Sequence, residues 1–172
     1  WSSDVCSSDL AALDAEMVAE SKRGGLRVIA SKDFFKGIMT TALRDDELLT
    51  EVRLPIPPSD TQTGFAEFSR RAGDYAVAMA VATYRLKGGI MNEMRIALGG
   101  AEAAPRRMIE AERALIGRPL SLGTFQAAAH AAVTAIDPLD DENISAEYRR
   151  GIARTMVVRA LERANTQAAG NE

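Results

Sequence analysis

The sequence predicts an α+β fold in two parts. A short α+β segment covers residues 11–59, and a larger domain over 60–172 packs a three-stranded antiparallel sheet with three helices. Three observations carry this reading. Pro55, Pro57 and Pro58 open a polar stretch, PIPPSDTQT over 55–63, with the composition of a linker. Between residues 64 and 100, runs of strand character are separated by glycine turns. Beyond Pro105 the apolar residues recur at helical spacing, and serines stand where caps belong.

Composition narrows the function classes. The chain has 172 residues, 47% apolar and 26% charged, enough to bury a core without metals or disulfides. Its net charge of −3 argues against nucleic acid or anionic lipid as a partner. Cys6 is the single cysteine, which excludes an intrachain disulfide or a multi-cysteine metal site and fits a reducing, cytoplasmic setting. No apolar run approaches the roughly 18 residues that span a bilayer, and no signal-peptide pattern is present.

Residues 1–10, WSSDVCSSDL, contain Ser-Ser-Asp twice and no apolar period. They resemble a translated sequencing adapter, so they are expected to be a non-native tail on a chain whose own start lies upstream; a short native tail is the alternative. From Leu10 to Val18 the chain starts as helix and ends in strand-like residues. Ser21 to Gly25, SKRGG, is a hairpin turn signal, and Leu26 to Ile29 is a short strand after it. Ser31 or Asp33 is placed to cap a helical turn over Phe34, Phe35 and Ile38, which Gly37 and Thr40-Thr41 break. Leu48 to Leu54 is a strand, with Leu49, Glu51 and Arg53 on one face, that the prolines end.

The strands of the second domain are expected near 64–71, 76–87 and 90–98. Val77 to Leu86 fits helix or strand by period alone. The Lys87-Gly88-Gly89 turn, the alternation of Ile90 to Leu98 and an alanine at every second position favour a strand. Between the first two strands, Arg70-Arg71 and Gly73-Asp74 form a polar turn that leads into Tyr75. An aromatic beside a turn offers a stacking face for a flat ligand, or it covers the end of the core.

Three helices follow. Pro105 stands at a plausible first helical position and Gly117 just past the end, with Met108, Ala111 and Leu115 on the shared face. Ser121 caps a second helix through Phe125, Ala129 and Val133. Ser145 caps a third, in which Tyr148, Ile152, Met156 and Ala160 form an apolar stripe beside Val157 and Leu161. Arg149, Arg150, Arg154 and Arg163 lie mostly away from that stripe, as a solvated face or a docking surface for an acidic partner. Residues 165–172 read as a loose tail.

Protein-based catalytic machinery is not evident. His130, the only histidine, sits in an alanine-rich helix with no triad partner at local spacing. The acidic groups at 45–47 and 137–142 fall at turns or helix approaches, where carboxylates bond local backbone. Neither glycine pair has the spacing of a phosphate loop. No catalytic or metal-ligating residue is therefore assigned, and a cofactor or another chain is expected to carry the chemistry.

Two stretches carry a family resemblance. Phe34 to Gly37 through Thr41 to Leu43, followed by Asp46 to Pro55 (DELLTEVRLP), resembles the end of the FAD-binding domain of molybdenum hydroxylase flavoprotein subunits. That family includes the medium subunit of aerobic carbon monoxide dehydrogenase and the flavin part of xanthine dehydrogenase. Arg70 to Ala76 (RRAGDYA) is similar to the start of the family's C-terminal domain, and Arg95 to Gly100 and Ala146 to Arg150 match later segments. The resemblance implies that residues 11–59 are the remnant of an FAD-binding domain and 60–172 a carbon monoxide dehydrogenase flavoprotein-like C-terminal domain. It implies FAD as cofactor, with a molybdenum-cofactor large subunit and a small subunit carrying [2Fe-2S] clusters as partners in a hetero-oligomer. FAD would pass electrons from those clusters to an external acceptor.

For the site, the resemblance implies that Leu49 borders the flavin and Tyr75 lies against the isoalloxazine ring. Glu67 stands near the place where many relatives carry a lysine, so it is a cofactor-binding candidate of altered charge. The family's glycine-rich pyrophosphate motifs lie upstream of this stretch, so these residues alone are expected to bind FAD weakly or not at all. The rival reading is a non-catalytic α+β module that docks subunits and holds no cofactor. A nucleic-acid-binding sheet is disfavoured by charge and by the few strand aromatics.

Overall fold

The structure, a computed structural model, describes residues 3–169. Its first unit runs α1 (Ser3–Ala12), β1 (Glu16–Ser21), β2 (Gly25–Ala30), α2 (Ser31–Phe34), β3 (Phe35–Gly37), β4 (Thr40–Thr41) and β5 (Leu48–Arg53). Strands β2, β1 and β5 form an antiparallel sheet in that order, and β3 pairs with β4 as a separate small hairpin. The expected turn after β1 is present: Gly24 donates its N–H to the Ser21 hydroxyl at 2.8 Å, and Gly25 takes a φ of 70° that suits glycine. Met17 pairs with Ile29 on one side and Val52 on the other. A small core forms there from Ala15, Met17, Ala19, Ile29 and Phe34.

Three local expectations are corrected in this unit. Neither Ser31 nor Asp33 caps α2; Ala30 occupies the cap without a side-chain bond, and Ser31 is buried inside the helix. Phe35 belongs to β3, its ring set edge-on to Phe34 with centroids 5.2 Å apart. The clean alternation along β5 is broken by a register shift opposite Val18 and Ala19, and every residue of β5 is exposed. Helix α1 covers most of the stretch that lacked any apolar period. Tertiary packing sets it: Ala11 and Ala12 are buried against Val81 and Ala97 of the second unit. Trp1 and Ser2 of the adapter-like segment lie outside the described residues.

The second unit runs β6 (Gln62–Phe68), β7 (Ala78–Lys87), β8 (Ile90–Gly99), β9 (Arg106–Arg107), α3 (Ile109–Leu115), α4 (Leu122–Ala135) and α5 (Ala146–Ala169). The three expected strands pair antiparallel in sequence order, and the two-residue β9 extends the sheet to a fourth. The run that fitted helix or strand is a strand from Ala78 onward, and its alanines explain the choice. Ala78, Ala80 and Ala82 are fully buried on the face that takes the helices, and a surface of small side chains lets α5 lie close. The approach is closest at Gly64, where an added Cβ would sit 1.9 Å from the Ala160 carbonyl oxygen.

The caps follow the sequence for α4 and α5. Ser121 accepts from the Thr124 N–H at 3.1 Å and Ser145 from the Tyr148 N–H at 3.2 Å. Two boundaries differ. Pro105 does not open α3, because β9 intervenes and the helix begins at Ile109. Helix α5 continues to Ala169 where a loose tail was expected from 165; residues 170–172 lie outside the described residues.

The other face of the second sheet carries Phe65, Val81 and Ala97 and is covered by α1. Polar contacts add to that junction. Asp14, at a φ of 52°, receives both Arg107 (2.6 Å) and Arg95 (3.5 Å), and Arg107 reaches on to Glu112 at 2.8 Å. Residues 54–61 connect the two sheets without secondary structure, and Arg85 holds Asp60 through a two-point contact at 2.8 Å.

Candidate functional site

The loop between β6 and β7 passes from buried to exposed and back within a few residues. It is closed at its base by the Val77 N–H donating to the Phe68 carbonyl at 2.8 Å, and it turns where Asp74 N–H donates to the Arg71 carbonyl at 3.1 Å. Gly73 takes a φ of 90° inside that turn, a conformation open to glycine and strained for other residues. Tyr75 is 70% exposed, whereas the next residues Ala76 and Val77 are 6% and 4% exposed. An aromatic ring thus stands in solvent on a backbone fixed immediately after it. Of the two readings open at Tyr75, a presented ring fits this geometry better than a core cover.

Glu67 lies near the other end of the same loop. It pairs with Met79 on β7, is exposed, and alternates with Ala66, which faces the helices. Its side chain therefore stands on the face that α1 covers further along the sheet. Leu49 sits on β5, opposite Ala19 of the first sheet, and is 43% exposed. Glu67 lies on β6 and Tyr75 in the loop that follows it, while Leu49 lies on the other sheet, with no core cluster in common among the described residues.

Exposed Tyr75 and Leu49 offer apolar surface to a flat ring system, as far as single side chains can. A pyrophosphate needs backbone amides gathered at a glycine-rich turn or helix start, and no helix among the described residues opens directly from a glycine pair. A separate hollow beside β1 and β5 is lined by Glu20, Lys22, Asp46, Leu48 and Thr50. It mixes charges of both signs and includes none of the three candidates. Among the described residues no group of three His, Cys, Asp or Glu is placed to hold a metal ion. His130 is on the helix surface.

Sequence reasoning missed Arg149. The sequence pattern places it away from the apolar stripe of the third helix, yet it is only 6% exposed. Its guanidinium donates to the carbonyls of Leu139, Val77 and Gly100, each at 3.0 Å, and to the Asp141 carboxylate at 2.6 Å. Arg150 is exposed, in keeping with that placement, and donates to the Val133 carbonyl at 3.1 Å. The signal was present. Arg149 lies four residues before Ala153, which continues to Val157 and Leu161, all fully buried, while Tyr148 at the head of the expected stripe is 54% exposed.

Comparison with known proteins follows the two units. Residues 63–164 match the CO dehydrogenase flavoprotein C-terminal domain, and residues 2–57 match the FAD binding domain in molybdopterin dehydrogenase. Subunit alpha of the 6-hydroxypseudooxynicotine dehydrogenase complex of Paenarthrobacter nicotinovorans is 39% identical over 90% of this chain and 52% of its own length. The carbon monoxide dehydrogenase medium chain of Afipia carboxidovorans is 33% identical over 84% of this chain and 50% of its own. Among solved structures, a carbon monoxide dehydrogenase from Hydrogenophaga pseudoflava superposes with a TM-score of 0.88 at 32% identity, covering 94% of this chain and 56% of the other. The chain thus spans about half the length of the curated relatives it matches. With more than half of its residues inside one family match, and that match lying on the β6–β9 sheet and its helices, the chain belongs to the CO dehydrogenase flavoprotein C-terminal domain family.

Proposed function

We propose that this chain is the ring-facing portion of an FAD-binding flavoprotein subunit in a cytoplasmic molybdenum hydroxylase complex, an oxidoreductase. Residues 11–59 end the FAD-binding domain and 60–172 form the C-terminal domain. Bound FAD would take electrons that originate at a molybdenum-cofactor large subunit and arrive through [2Fe-2S] clusters on a small subunit, and would deliver them to an external acceptor. The chain's own residues bind and orient. Tyr75 presents its ring to the isoalloxazine, Leu49 shields an edge from water, and Glu67 places a carboxylate near the loop. The pyrophosphate is held by residues outside this stretch.

The observation that carries this reading is Tyr75, an exposed ring on a loop whose base is buried, in a chain with two successive family matches. The test is the visible spectrum of the full-length subunit. A bound flavin whose absorbance band shifts and whose FAD affinity drops about tenfold in Tyr75→Ala is the expected result, in line with the loss of one stacked ring. A folded subunit that takes up no flavin on reconstitution would overturn it. The subunit-docking module would then stand, and one observation favours its surface: Tyr148 and Ile152 flank the open Gly151 on the outer side of α5.

A further inference from the structure

We propose that Arg149, far along the chain on α5, is a positioning residue for the loop that carries Tyr75. The inference rests on the flavin reading for what the loop contacts, and on geometry alone for how the loop is held. A buried guanidinium is costly unless its N–H groups are bonded. Here the acceptors come from three separate segments. The Val77 and Gly100 carbonyls both receive Nη1 at 3.0 Å, the Leu139 carbonyl receives Nε at 3.0 Å, and the Asp141 carboxylate receives Nη2 at 2.6 Å. Asp141 is itself fixed, because it accepts the N–H groups of Asn143 and Ile144 at 2.9 Å.

Val77 is two residues past Tyr75, and Gly100 reinforces the same spot. Its φ of 71° lets the backbone pass so close that an added Cβ would stand 2.5 Å from the Ala76 carbonyl oxygen. The backbone just beyond Tyr75 is therefore held by the Arg149 hydrogen bond to Val77 and packed closely against Gly100 at Ala76. An exposed aromatic on a clamped backbone loses little freedom when a ring docks on it, so the clamp converts directly into affinity. Lysine cannot replace arginine here. One ammonium keeps the charge beside Asp141 but cannot span carbonyls on three segments.

The test uses the full-length flavoprotein with Arg149→Lys, Tyr75→Ala and the double variant. It reads amide exchange in residues 69–77 and FAD affinity. Arg149→Lys is expected to speed exchange at Asp74 and Val77 about tenfold while leaving residues 94–97 of β8 unchanged. It should weaken FAD about tenfold in the native background and less than about twofold in the Tyr75→Ala background. Unchanged exchange in 69–77, exchange that rises equally in β8, or an equal loss of FAD in both backgrounds would each overturn the proposal. Asp141→Asn keeps the shape and weakens only the outer anchor, so it gives the same contrast at smaller amplitude if the lysine variant does not fold. Should Tyr75→Ala leave FAD untouched, the flavin reading falls and the exchange measurement alone decides the role of Arg149.

Discussion

Gly64 shows how one absent side chain sets the spacing of two layers. Its position against the Ala160 carbonyl oxygen is backbone against backbone, so no flexible side chain can yield to a methyl group. Gly64→Ala is expected to cost about 3 kcal/mol, at the upper end of overpacking effects, read as a lower midpoint in chemical denaturation. Tyr84 makes the opposite case. Its hydroxyl is buried without a partner and burial pushes its pKa up to about 12. Removing an unpaired buried hydroxyl is favourable, so Tyr84→Phe should raise stability by about 1 kcal/mol. Glu47 carries a pH dependence. Hydrogen bonds from the Arg27 guanidinium, then from the Arg44 N–H, lower its pKa from 4.5 to about 2. A depressed carboxylate contributes stability that is complete above the unfolded value near 4.5 and is lost as pH falls toward 2. Glu47→Gln should therefore lower Tm at pH 7 and flatten its fall between those two pH values.

At the scale of elements, the longer strands and the caps of α4 and α5 were legible because their signals are local. The glycine turns at 21–25 and 87–89, the Ser121 and Ser145 caps and the proline break all reside within a few residues. The elements that escaped are those made by tertiary contact. Helix α1 has no apolar period and forms against Val81 and Ala97; β9 exists because Arg106 and Arg107 pair with Leu98 and Ala97. The expected stripe of α5 holds from Ile152 to Leu161 and fails only in the first turn, where Tyr148 is exposed and Arg149 is buried. Arg107 joins β9 to both neighbours, since it bonds Asp14 near α1 and Glu112 on α3. Glu112 is 4% exposed and also accepts the Ile96 N–H at 3.0 Å. Arg107→Met leaves that carboxylate buried without its cation, so a loss of about 3 kcal/mol is expected in denaturant unfolding.

Over the whole molecule, the proline-rich stretch was legible as a segment without secondary structure, and the resemblance supplied candidates that composition does not. Tyr75 was legible as an aromatic beside a turn; its clamp by a residue on a distant helix was not, since no spacing rule links positions 75 and 149. The connection between the units has a practical consequence. Residues 54–60 are exposed and without secondary structure, while α1 is buried across the second sheet and Asp14 is gripped by two arginines. A cut in this tether severs the polypeptide without touching the seam. The nicked halves should migrate as two bands on a denaturing gel and as one species in gel filtration, and separately expressed halves should find each other again as a split protein.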